Sequence, residues 1–395
     1  MNKEFDKPLP QNNLDLNEKF RSNIFPWRGQ FSPELIENIF KAYCFENSKV
    51  LDPFCGSGTV LFEAALNKLE AIGVELNPAA HFLSKTYELI NTDPEKLKEI
   101  IDEIFEKIQF SLNLNSILEN QELLSLDYFS GKIQDLIKES NKEEKIILNA
   151  FVILCDIKEE KIAKSKILNS LFKIQNSIKK LPYSNKKITS LLGDSRNIPI
   201  KDESIDFVIT SPPYINVFNY HQNYRGSAES LGWDLLKIAK SEIGSNRANR
   251  GNRFLTVIQY CIDISNNLFE LHRVVKNSGR MIFVVGNESN VLSVPFYNAN
   301  IICKLAEGTK TFKTILRQER SFKNKFGKLI KEELIHLEKN QLYKPSPDEV
   351  LNVAREVARE ALSQGMNSVD GKNKDLLIKS IAMISKTQGI PKFPL

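Results

Sequence analysis

The chain is short of the residues that staple a fold or hold a metal. Its five cysteines (Cys44, Cys55, Cys155, Cys261 and Cys303) lie far apart with no CxxC pair. Neither a disulfide framework nor a zinc site is expected from such spacing, and no metal ligands are assigned. Long apolar runs are missing as well: no stretch reaches the roughly 18 residues that a membrane span needs. The polar, acidic first segment does not read as a signal peptide. A reducing cytoplasm without a membrane partner is the expected setting. Internal repeats and low-complexity segments are absent too.

What remains is ordinary globular material, 395 residues with 42% hydrophobic and 26% charged, enough for a sizeable core and more than one module. The net charge of +5 is a mild pointer to a polyanionic partner. Its placement says more. From Lys313 to Lys331, seven basic residues (Lys313, Arg317, Arg320, Lys323, Lys325, Lys328, Lys331) meet one acid, Glu319, with Phe322 and Phe326 interleaved. Such a run fits a phosphate backbone, although a solvated helix face is its commoner use.

Two stretches carry chemistry. Val50-Leu51 runs into Asp52-Pro53-Phe54-Cys55-Gly56-Ser57-Gly58-Thr59 and then an apolar helix, a strand, glycine-rich turn and helix in sequence. A second strand, Ala71 to Val74, ends in Glu75-Leu76-Asn77-Pro78. Glycine is needed where backbone approaches a ligand or takes φ > 0. An acid at the tip of the second strand is the usual partner of ribose hydroxyls. The turn lacks the third glycine of GxGxxG, which disfavours a dinucleotide oxidoreductase. The other stretch, Ile205 to Ile209, reads as a buried strand that stops at Thr210-Ser211-Pro212-Pro213-Tyr214. It sets rigid backbone and a ring at the carboxyl edge of a sheet, where open α/β sheets bind ligands.

Between them the alternation of strands and helices argues an α/β, Rossmann-like, doubly wound and mostly parallel sheet. Ser32-Pro33-Glu34, Asp93-Pro94-Glu95 and Ser346-Pro347-Asp348-Glu349 each mark a helix start. Gly365 reads as the terminator of the helix through Leu362. Residues 93–188 read as a charge-rich helical insert, either a crossover that covers the sheet or a binding element. Trp27 and Phe31, taken alone, read as packing onto the helix that opens at Pro33. Leu191 to Ser195 is a short strand ending in the acid Asp194.

Taken together, Asp52 to Thr59 and Ser211-Pro212-Pro213-Tyr214, with Glu75 and Asp194 between them, resemble the amino-group DNA methyltransferases. These transfer methyl from S-adenosylmethionine to N4 of cytosine or N6 of adenine. The resemblance covers roughly residues 25–286 without the insert, and implies a division of the chain. Residues 1–24 would be a polar arm, 25–92 the cofactor half, 93–188 the insert and 189–300 the catalytic half. Residues 301–395 would be a basic, largely helical region for DNA recognition.

The same resemblance implies the site. Asp52, Pro53, Phe54, Gly56, Gly58 and Thr59 would hold the methionine part of S-adenosylmethionine. Glu75 would take the ribose with Asn77 beside it, and Asp194 would meet the adenine amine with Ser195 beside it. Trp27 and Phe31 fall in a segment loosely similar to the family's N-terminal cofactor motif. Ser211, Pro212, Pro213 and Tyr214 would be catalytic: the Ser211 hydroxyl and Pro212 carbonyl accept from the amine, and Tyr214 stacks on a base swung out of the duplex. Serine at the head of this tetrad is typical of cytosine-N4 enzymes. Double-stranded DNA is the implied partner, with a cognate restriction endonuclease as a functional companion. Its phosphates are assigned to Arg247, Arg250, Arg253, Lys313, Arg317, Arg320 and Lys323. Adenine-N6 transfer, an RNA methyltransferase and a non-catalytic DNA-binding protein on the same scaffold are the competing readings.

Overall fold

The computed structural model describes residues 5–16, 20–114, 123–215, 219–245, 249–323 and 327–393. Arg247, Lys325 and Phe326 lie outside the described residues. In chain order the strands are β1 Lys49–Asp52, β2 Glu70–Glu75, β3 Leu123–Ser125, β4 Lys161–Ala163, β5 Ile188–Leu192 and β6 Ile205–Thr210. They continue as β7 Val275–Gly286, β8 Glu288–Val291, β9 Val294–Tyr297, β10 Phe312–Lys323 and β11 Leu329–Lys339. Seven join in one sheet of order β10-β11-β7-β6-β1-β2-β5. β1 pairs in parallel with β2 and β6, β2 with β5, and β6 with β7. The chain winds one way from β1 through β2 to β5, then returns to β6 on the other side of β1. The switch point therefore lies between β1 and β6, and the doubly wound sheet is as expected.

Sheet residues alternate between two cores. Phe207, Ile209, Ile282 and Val284 face one core, which also holds Leu35, Ile39 and Leu61. Val208, Met281, Phe283 and Val285 face the other, with Leu268, Leu271 and Val357. Both faces of β6 are thus covered, which is why its sequence is nearly continuous in apolar residues. The insert (helices Pro94–Ser111, Leu126–Glu139, Lys142–Leu154 and Lys164–Ile178) is the crossover from β2 to β5, and Ile147, Phe151 and Leu171 join the first core. It also braces a later segment: Ile157 N donates to Ser227 Oγ at 2.9 Å.

All three helices start where read, and two of the three carry the side-chain cap. Asp93 accepts from the Glu95 and Lys96 amides, and Ser346 with Glu349 closes a capping box. Ser32 differs, since its hydroxyl donates to Glu34 Oε2 at 2.7 Å and caps nothing. Gly365 ends the helix Pro347–Gly365 with right-handed backbone, so it is no left-handed terminator. A Cβ there would come within 2.6 Å of Val294 Cγ1, so close packing explains it better.

Two expectations are corrected. The basic stretch is no helix: it forms the hairpin β10–β11, which extends the sheet by antiparallel pairing with β7. Phe312, Leu334, Ile335 and Leu337 are buried, and the period along β10 is two, with Lys313, Arg317 and Lys323 outward and Arg320 inward. The first residues are no loose arm either. Phe5, Leu9 and Leu14 are buried, Gln318 exchanges hydrogen bonds with the Leu9 backbone, and Asp15 Oδ1 accepts from Ser321 N at 2.7 Å. Three apolar anchors spaced among polar residues were enough to dock the segment on an edge strand. Among the described residues, no helix is long and apolar enough to cross a membrane.

Candidate active site

The carboxyl ends of β1 and β6 meet at the switch point through one hydrogen bond, from Thr210 Oγ1 to Asp52 Oδ1 at 2.7 Å. The same oxygen accepts from Phe54 N at 3.1 Å and so starts the turn. Gly56 and Gly58 take φ of +52° and +92°, values that other residues rarely adopt. A Cβ on Gly56 would lie 3.2 Å from Trp27 Cδ1, and one on Gly58 would lie 2.7 Å from the Tyr87 ring. The helix Thr59–Leu66 follows directly, with Thr59 Oγ1 donating to Asn23.

Glu75, at the tip of β2, holds this turn from the other side. Its Oε2 accepts from Gly56 N and its Oε1 from Asn77 N, both at 2.8 Å. Burial pushes the Asp52 and Glu75 carboxyls up to about 7, only partly offset by these bonds. Asn77 itself is an N-cap: its Oδ1 accepts from Ala79 N and its Nδ2 donates to Tyr220 O.

Above the turn lies a cleft open to solvent. Its walls include Trp27, Phe31, Asp52, Pro53, Phe54, Gly56, Thr59, Glu75, Asn77, Asp194, Ser195, Ser211 and Pro213. The structure thus gathers most of the expected cofactor residues and two of the tetrad around one cavity. Gly58 lies beneath it and Pro212 is buried. Tyr214 packs behind, its ring seated on Gly286, where a Cβ would come within 3.0 Å of Tyr214 Cε2. Burial raises the Tyr214 phenol, and its hydroxyl lies 3.4 Å from Ser211 Oγ.

Asp194 departs from its expected role. Its Oδ1 accepts from Arg196 N and Nε, and its Oδ2 from Arg196 Nη2 and Phe393 N. A carboxylate has about four acceptor positions, so none is left for an adenine amine. Burial alone would raise this carboxyl, but the Arg196 guanidinium outweighs it and holds it below the ordinary range. Arg196 also reaches Asp263 Oδ1 at 2.7 Å, making Asp194 the anchor of a buried ion cluster.

The expected phosphate contacts divide. Arg250, Arg253, Lys313 and Lys323 are exposed. Arg317 is committed to Glu333 and Asn300. Arg320 is only 3% exposed, 3.5 Å from Glu332 and over the Phe322 ring, so it cannot meet a phosphate outside.

Sequence reading missed several wall residues: Gln30, Tyr220, Ser241, Glu242 and Ile243. Gln30 Nε2 donates to Ser57 Oγ and Phe25 O, strapping the N-terminal segment over the turn. The signal for Tyr220 was the polar-aromatic cluster Asn219 to Arg225, to which no function had been attached.

Sheet order and switch-point cleft define a doubly wound α/β domain with a ligand cleft at its strand ends. Residues 3–86 match the model of the DNA methylase family. The chain is 26% identical over 294 residues to the type II methyltransferase M.BsoBI of Geobacillus stearothermophilus, covering 59% of this chain and 57% of that protein. It is 21% identical over 410 residues to the type II methyltransferase M.MjaII of Methanocaldococcus jannaschii, covering 73% and 76%. An S-adenosylmethionine-dependent methyltransferase structure from Methanosarcina mazei aligns at 11% identity and a TM-score of 0.36, covering 76% and 96%. The proteins that this chain resembles are thus DNA methylases and type II methyltransferases. The chain spans little more than half the length of M.BsoBI.

The similarity to DNA methylases implies S-adenosylmethionine as methyl donor, and the cleft fits it. The left-handed Gly56 brings backbone to the cavity, and acids line the wall. One buried carboxylate oxygen, Glu242 Oε1, has no partner among the described residues.

Proposed function

We propose that the chain transfers methyl from S-adenosylmethionine to an exocyclic base amine in double-stranded DNA, with N4 of cytosine as the target. The observation that carries this reading is that Ser211 and Pro213 line the same cavity as Gly56 and Glu75. When bound, S-adenosylmethionine supplies an electrophilic sulfonium methyl. Ser211 Oγ and the Pro212 carbonyl accept from the two N–H groups of the amine and draw its nitrogen towards sp³ geometry. The fixed φ of proline holds that carbonyl in direction. The lone pair then forms the N–C bond as the S–C bond breaks, and the nitrogen sheds one proton to solvent. Tyr214, braced by Gly286, offers a stacking surface to the extruded base.

Serine rather than Asp or Asn at position 211 supports cytosine over adenine. Exposed Arg250, Arg253, Lys313 and Lys323 support phosphate contact. Incubation with labelled S-adenosylmethionine and mixed-sequence duplex DNA, followed by digestion to nucleosides, tests the whole reading. Labelled N4-methylcytosine is expected, whereas N6-methyladenine would overturn the base assignment and label in RNA alone the substrate. Ser211→Ala should abolish transfer and leave binding of S-adenosylhomocysteine intact.

A further inference from the structure

Glu242 is the one acid of the cleft wall that nothing in the resemblance accounts for. It follows the short turn Ala239–Ser241 and is buried. Its Oε2 lies 2.8 Å from Nδ1 of His221, itself buried. The backbone of the neighbouring Tyr220 accepts from Asn77 Nδ2, which ties this covering segment to the tip of β2. Among the described residues, nothing donates to Glu242 Oε1. A buried carboxylate oxygen left bare is unfavourable unless a donor arrives from a ligand.

The remaining acceptors in the wall decide which donor that is. Asp194 is saturated by Arg196 and the Phe393 amide. Each Glu75 oxygen already accepts one amide and keeps one lone pair. Glu242 lines the cavity together with Glu75 and Tyr220, and the bond from Asn77 Nδ2 to Tyr220 O sets its segment on the Glu75 side of the cleft. Two carboxylates sharing that side suit a group with two adjacent neutral donors, and a ribose diol has that form.

We propose that Glu242 is a second ribose-binding carboxylate: its Oε1 accepts from one ribose hydroxyl of the cofactor, and His221 is the positioning residue that holds Oε2. This rests on the S-adenosylmethionine reading above. Titration calorimetry on the full chain should compare S-adenosylhomocysteine with its 2′-deoxy and 3′-deoxy analogues. For wild type, loss of the contacted hydroxyl should weaken binding about tenfold or more, as for a hydrogen bond to a charged group. Glu242→Gln should weaken S-adenosylhomocysteine by a similar factor yet bind one deoxy analogue within about twofold of wild type. Equal weakening of all three ligands, or no weakening, would overturn the assignment. If Glu242→Gln melts below the assay temperature, His221→Asn must show the same hydroxyl-selective loss, and a hydroxyl-independent loss counts against it. Failure of wild type to bind any of the three removes the cofactor reading along with the inference.

Discussion

Replacing Asp52 with Asn should stabilise the cofactor-free chain at pH 8 and leave it nearly unchanged at pH 4. Asp52 is 2% exposed, and burial pushes its carboxyl from an ordinary 3.8 up to about 7. A carboxyl raised in this way binds its proton more tightly folded than unfolded. Between about pH 4 and pH 7 the folded chain keeps a proton that the unfolded chain has released, so stability falls as pH rises through that window. Above it the full penalty applies. A displacement of about three pH units at ~1.36 kcal/mol each sets a ceiling of about 4 kcal/mol, and water in the open cleft lowers it to roughly 2–4 kcal/mol. Asparagine removes the charge but keeps an oxygen for Thr210 Oγ1 and Phe54 N. Urea denaturation of wild type and Asp52→Asn at the two pH values gives the difference directly. If Asp52 holds the methionine part of S-adenosylmethionine, as the proposed function has it, greater stability and weaker cofactor binding should arrive together. Loss of stability at pH 8, or an equal change at both pH values, would refute the reasoning, because a carboxylate disfavoured by burial cannot behave in either way.

Gly286→Ala sets a methyl 3.0 Å from Tyr214 Cε2, so the ring must move by a few tenths of an ångström. Since a misplacement of about 1 Å can lower a rate roughly a hundredfold, several-fold lower kcat with unchanged binding of S-adenosylhomocysteine is expected; an unaltered kcat counts against Tyr214 as a base platform. Arg196→Ala leaves Asp194 and Asp263 buried without their shared cation. It should destabilise the fold by about 3–5 kcal/mol, read as a lower urea midpoint, and a loss below about 1 kcal/mol would show that the ion cluster is dispensable.

How much of this was legible in the sequence follows from the range of each constraint. The turn from Asp52 to Thr59 and the stop at Pro212-Pro213 could be read because glycine and proline act on their own backbone, and Glu75 because an acid at a strand tip has few other uses. Burial side on β10 could not be read, since composition reports the charge of Arg320 and Lys323 but only a strand's period of two sends one inward and the other out. Asp194 misled for a related reason. Its neighbour Arg196 lies two residues on, but the Phe393 amide that completes its shell comes from 199 residues away. The cover of the cleft is likewise brought in from outside the turn: Gln30 comes from before β1, and His221 with Glu242 from beyond β6. No periodicity marks these residues, because none of them repeats or caps anything. What singles out Glu242 is a deficit that exists only once the chain is folded, an acceptor buried beside a cavity with nothing donating to it. A cofactor half built from local backbone rules, roofed by residues that long-range folding alone brings in, is what the switch point of a doubly wound sheet requires. The strand ends fix the floor, and segments before β1 and beyond β6 supply the walls.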